Sequence, residues 1–129
     1  MNALVQTVAG VFAVDLEADE VEATDDGLEQ RDEPVLNLPR LIAADAAGAT
    51  VFAVVDTRPP IVVSRDGGAT WRESGRGLPA GRAIHVSRDN PDVALFAARN
   101  RLYVTRDGGV FWRAVPVELA EIVAVELRD

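Results

Sequence analysis

A nine-residue segment occurs twice in this chain. Ser64-Arg65-Asp66-Gly67-Gly68-Ala69-Thr70-Trp71-Arg72 returns as Thr105-Arg106-Asp107-Gly108-Gly109-Val110-Phe111-Trp112-Arg113, with Asp66 and Asp107 41 residues apart. One further period upstream, Thr24–Arg31 keeps Asp25, Gly27 and Arg31 and has lost the tryptophan. The flanks repeat as well: Val51-Phe52-Ala53-Val54 matches Val11-Phe12-Ala13-Val14, and Leu38-Pro39 returns as Leu78-Pro79. Three such periods account for nearly all of the 129 residues. A fixed period of this length means a row of similar units, each burying its faces against its neighbours.

Each period holds short Val-, Ile-, Ala- and Phe-rich segments separated by turn residues, with no helical spacing anywhere. In the last period these are Ala83–Ser87, Val93–Ala98, Leu102–Arg106 and Phe111–Val115. Four strands in about 40 residues is the size of one propeller blade. The expectation is an all-β fold of about three four-stranded blades in a single domain. Its repeats run over residues 1–37, 38–77 and 78–116, with a C-terminal strand in 117–129.

The repeated turn explains itself chemically. Asp66 and Asp107 can fold a carboxylate back onto the N–H groups of the turn. Gly67-Gly68 and Gly108-Gly109 supply positive φ, which side chains resist. Trp71 and Trp112 open the outgoing strand and are expected to bury roughly 150–250 Å² each between neighbouring blades. Ser64, Asp66, Gly68, Thr70, Trp71, Thr105, Asp107, Gly109, Trp112 and the remnant Asp25 and Gly27 are therefore read as structural.

Ser64–Trp71 fits the pattern Ser-x-Asp-x-Gly-x-Thr-Trp at every defined position. It resembles the Asp-box (BNR-like) repeat of the sialidases, the sortilin-type receptors and the photosystem II assembly-factor propellers. The second copy departs from it at Phe111, where threonine is usual. The resemblance implies a β-propeller whose Asp-box turns lie away from the ligand face, so Asp66 and Asp107 are poor general acids.

A propeller closes with about 4–8 blades, and three are present. Glu121–Leu127 resembles a strand that opens a further blade, as at Ile42 and Ile84, and an unpaired strand edge seeks a partner. It closes on the first blade of its own chain or is donated to a second chain. Two chains would make a six-bladed ring, the homodimer favoured here. Alternatively, Leu4–Val8 and Val11–Val14 give the first blade its own inner strand, and the C-terminal strand is surplus.

The sequence has no cysteine and one histidine, and all 13 basic residues are arginine. Thiolate metal sites and disulfides are thereby excluded. Net charge is −8, with ten acids and one arginine packed between Asp15 and Glu33. That acidic stretch opposes nucleic-acid binding. Its Asp19, Glu20, Glu22, Asp25 and Asp26 could hold calcium, but in no recognisable spacing, and neither metal nor cofactor is expected. No run approaches the ~20 apolar residues that span a bilayer, and no basic n-region precedes Met1–Val14. The expectation is a cytoplasmic protein.

The leading function is a non-catalytic binding or assembly scaffold. The alternative, implied by the Asp-box resemblance, is a glycan-binding or sialidase-like glycoside hydrolase. Loops expected on the ligand face carry Arg58, Arg76, Arg82, Arg99 and Arg101, which suit a carboxylate or phosphate. His85 lies inside a strand pattern and is read as packed. The only tyrosine, Tyr103, also lies within a strand, and no carboxylate pair stands out for glycoside chemistry.

Overall fold

The computed structural model describes residues 1–128 and contains twelve strands among them. They are β1 Asn2–Thr7, β2 Gly10–Asp15, β3 Glu20–Ala23, β4 Leu41–Ala47, β5 Thr50–Val55, β6 Ile61–Ser64, β7 Arg72–Ser74, β8 Ala83–Val86, β9 Ala94–Ala97, β10 Leu102–Thr105, β11 Arg113–Val115 and β12 Ile122–Arg128. They form three four-stranded sheets, ordered β12-β1-β2-β3, β4-β5-β6-β7 and β8-β9-β10-β11, with every pairing antiparallel. The strand-and-turn pattern of the sequence thus becomes an all-β molecule.

Face-to-face packing explains why the strands are so apolar. Every residue of β5 and of β9 is buried, because both sides of these strands meet other protein. Phe52, Val54, Ile61 and Val63 of the second sheet meet Ile84, Val86, Phe96 and Trp112 of the third. On its other side, the third sheet presents Leu95, Leu102 and Val104 to Ala3, Val5, Val14, Val125 and Leu127 of the first. Each fully buried Val, Leu or Phe contributes about 1.5–3 kcal/mol. The third sheet is therefore the middle of a fan, with the first and second sheets at its ends.

The first sheet departs from the repeat. β1, β4, β8 and β12 begin at residues 2, 41, 83 and 122, about one period apart, so all four are counterparts in sequence. In the second and third sheets this counterpart is the edge strand. In the first sheet β12 takes that place, and β1 is pushed one position outward. β2 and β3 move with it, so the β2–β3 turn stands where the β6–β7 and β10–β11 turns stand elsewhere. Arg31–Glu33, the counterpart of β7 and β11, has no place left in the sheet and pairs with no strand. The N-terminal repeat thus supplies three strands of its sheet, and β12 supplies the fourth.

The displaced segment becomes a strap, residues 24–40, which joins β3 at one end of the fan to β4 at the other. The backbone N–H of Glu29 donates to Glu126 at 2.6 Å, Arg31 binds Asp45 and the carbonyl of Val86, and Glu33 accepts the N–H of Ala44. Asp25 and Gly27, grouped above with the turns, lie in this strap and form no hairpin. Leu36 reaches the site of Gly68, where an added Cβ would stand 3.6 Å from it.

Candidate functional site

The two complete turns are closed by side chains. Ser64 Oγ donates to Asp66 Oδ1 at 2.7 Å and accepts the N–H of Gly68 at 2.8 Å. Thr70 gives Asp66 both its N–H, at 2.8 Å, and its hydroxyl, at 2.6 Å. These bonds, led by the Thr70 hydroxyl, pull the Asp66 carboxyl down to about 2. In the second turn Thr105 and the N–H of Phe111 play the same parts toward Asp107, whose carboxyl is also lowered. Phe111 has no hydroxyl to add. Gly67, Gly68, Gly108 and Gly109 have φ of 70°, 98°, 72° and 90°, where a side chain would be strained. Carboxylates so fully occupied by their own turn are not free for chemistry.

The tryptophans differ. Trp112 is buried, packs edge-on to Phe52 with ring centres 6.1 Å apart, and donates Nε1–H to Ser74 Oγ at 2.9 Å. Trp71, its counterpart, is half-buried and lies beside the strap instead of a neighbouring sheet. The second sheet ends the fan on that side, which corrects the expectation that both tryptophans are sandwiched alike.

The arginines that follow the tryptophans tie one sheet to the next. Arg72 donates to the carbonyl of Gly108 at 2.5 Å, and Arg113 to that of Leu16 at 2.5 Å. Arg65 pairs with Asp92 and Arg106 with Glu17 in the same alternation. Arg113 also holds Asp19 at 3.1 Å, and among the described residues no group of three or more acidic or histidine side chains is arranged for a metal ion. Repetition of Arg72 and Arg113 in the sequence was a usable signal for this role.

The structure separates the five arginines assigned to the ligand face. Arg82 and Arg99 converge on the carboxylate of Glu121, at 2.8 and 3.2 Å, and both hold its pKa below the ordinary value, Arg82 the more strongly. Arg101 lies apart, beside Asn100 and Pro116–Leu119. Arg58 and Arg76 line one groove of about 310 Å³ with Pro59, Glu73, Gly77 and Leu78. Both are exposed and make no ion pair or hydrogen bond among the described residues.

A second recess lies where the inner strands meet. The cleft measures about 710 Å³ and is lined by the strap residues Glu29–Asp32 together with His85, Arg88, Glu126, Leu127 and Arg128. Asp45, His85 and Glu126 occupy corresponding places on β4, β8 and β12, and all three are buried. Arg31 neutralises Asp45, and Arg128 Nε holds Glu126 at 2.5 Å. His85 Nδ1 accepts the N–H of Leu127, and burial depresses its protonation, only partly offset by Asp45 and Glu126. Two polar residues at one repeat position, Asp45 and Glu126, went unread because each is a single charge inside an apolar strand.

No family model matches the chain, and no curated protein is significantly similar to it. Among solved structures it is similar to one described as YCF48 bound to D1 peptide, with a TM-score of 0.53 at 21% identity. The likeness covers 94% of this chain and 39% of that one, so the chain spans well under half of that protein's length. The fold is that of a β-propeller. Each four-stranded sheet is a blade, and the fan is an arc of three. No helix among the described residues is long and apolar enough to cross a membrane.

Proposed function

We propose that this chain is a non-catalytic Asp-box propeller scaffold that takes an anionic segment of a partner protein in the groove between Arg58 and Arg76. The observation that carries the reading is the pairing of two exposed, unengaged guanidinium groups with an apolar floor of Pro59 and Leu78. Guanidinium forks bind carboxylates in the plane, and the apolar floor favours an adjoining aliphatic or aromatic residue. Arg82 and Arg99 belong to a different task, because Glu121 already holds them. The propeller neighbour is a peptide-bound protein by its description, which agrees with this class of ligand.

A glycan reading makes the opposite demand on the carboxylates. A glycosidase general acid needs a raised pKa. The displaced carboxyl groups here, Asp15, Glu17, Asp66, Asp107 and Glu121, all move down.

Fluorescence anisotropy with a labelled peptide alternating glutamate and leucine tests the proposal. Saturable binding, weakened at least tenfold in Arg58→Ala and in Arg76→Ala, supports it. Binding that survives both substitutions overturns it. A melting shift with sialic acid in place of the peptide, lost in Arg58→Ala, assigns the groove to an anionic sugar.

A further inference from the structure

The closing strand has two ways of meeting β1. β12 and β1 pair over six positions, from Asn2↔Arg128 to Thr7↔Ile122. They are joined in the chain only through everything between them. The same six pairs form equally well between two copies, since an exchanged element keeps its contacts and changes only its connection.

The strap distinguishes the two arrangements. Within one chain it must run from β3, in the blade at one end of the fan, to β4, in the blade at the other. The third blade stands between those two. The other blade-to-blade links, residues 75–82 and 116–121, join neighbours. When β12 of one copy receives β1, β2 and β3 of a second, the second copy's strap leads from that shared blade to its own β4. In a ring of two copies that strand opens the next blade, so every link joins neighbours.

The fan's end faces point the same way. At both internal junctions the forward face of one blade meets the rear face of the next. The fan leaves one face of each kind without a blade. Leu4 and Ala13 belong to the first, and Ala53, Val62 and Trp71 to the second. Leu4, Val51 and Ala53 are buried there at 3%, 3% and 0% exposure, and the strap reaches the side of the second sheet with Leu36 beside Gly68 and Trp71. That cover is thin, for Leu28, Pro34, Leu36 and Leu38 are only half-buried and Val35 is fully exposed. The partner that presents both kinds of face at once is a second copy of the chain, and a heterologous contact of this kind closes a ring when the rotation fits.

We infer that two copies exchange β12 and form a six-bladed ring, with the strap as hinge and the end faces of each fan packed on those of the other. The inference is independent of what binds at Arg58 and Arg76.

The chain lacks cysteine, so one engineered pair reports the connection without interference. Gln6 and Ala124 stand opposite each other across β1 and β12, and directly opposed antiparallel residues have the Cα separation that a disulfide spans. Gln6→Cys/Ala124→Cys, oxidised at low concentration and run on a non-reducing denaturing gel, is expected to give a covalent dimer. A fast-migrating monomer cross-linked within itself overturns the exchange, and failure to cross-link overturns the pairing. Light scattering on the unsubstituted chain gives a second reading that needs no variant. A mass of twice 13.8 kDa is expected, and a mass of 13.8 kDa at every concentration overturns the ring.

Discussion

His85 Nδ1 accepts the backbone N–H of Leu127 at 3.0 Å, which joins β8 of the middle blade to the closing strand β12. The acceptor exists only while the imidazole is neutral. Burial is the largest influence on this ring and lowers its protonation, with Arg31 and Arg88 acting in the same sense and Asp45 and Glu126 against. A depressed folded-state pKa means that unfolding takes up a proton, so stability is complete above the unfolded value near 6.5 and falls as the pH drops below it. Thermal melts from pH 8 to pH 5 should therefore show a loss of stability on the acid side. The chain has no other histidine. His85→Leu should flatten the profile across that interval, and a profile unchanged by this substitution would contradict the assignment.

Replacing Arg31 by Met removes the counterion of buried Asp45 while keeping most of the side-chain bulk. Asp45 retains only the N–H of Val86, at 2.7 Å. Stranding a buried charge in this way costs about 3–5 kcal/mol. Denaturant unfolding measures the loss, and Arg31→Met/Asp45→Leu should recover most of it.

Trp112→Ala should cost about 3–5 kcal/mol, because it opens a cavity between two blades and removes the hydrogen bond to Ser74 Oγ, which keeps only the carbonyl of Gly109. Trp71→Ala at the corresponding place should cost only about 1 kcal/mol in an isolated chain, and a loss near that of Trp112→Ala in a two-copy ring, where the partner's end face covers it. Equal losses would mean that Trp71 is covered as completely as Trp112.

The turns should differ in their response to Asp→Asn. Asp66 accepts three bonds from Ser64 and Thr70, whereas Asp107 accepts two from Thr105 and Phe111. Asp66→Asn should lower the melting temperature more than Asp107→Asn. Because both carboxyls are lowered, their stabilisation is present above the unfolded value of 3.8 and disappears as acid titrates them in the folded state. The two variants should converge with the parent in strong acid.

Gly81→Ala should destabilise by about 1–3 kcal/mol. Its Cβ would stand 2.3 and 2.6 Å from ring atoms of Phe96 and 2.8 Å from Val54, inside the packing between blades. Calorimetry on this single variant checks the tightness of that junction.

What could be read from the sequence was local. The turns from Ser64 to Trp71 and from Thr105 to Trp112 carry their own conformational instructions, so strands flank them where the alternating apolar residues say. The place of a strand within its sheet is a different kind of information. β1 stands one period before β4 and two before β8, yet it sits one position further out because β12, over a hundred residues later, claims the edge. Nothing near Asn2–Thr7 encodes that competition. The arginine face was legible as loop charge, but the capture of Arg82 and Arg99 by Glu121 depends on where residues 116–121 pass.

The joining of β1 to β12 also bears on the order in which the molecule is made. The second and third blades pair strands that are close in sequence and can fold as they are synthesised. β1 emerges long before β12 and must wait for it. Until then its edge is open, and on a crowded polysome the nearest β12 can belong to the chain ahead. A lower density of ribosomes on the message would then favour self-closure over exchange.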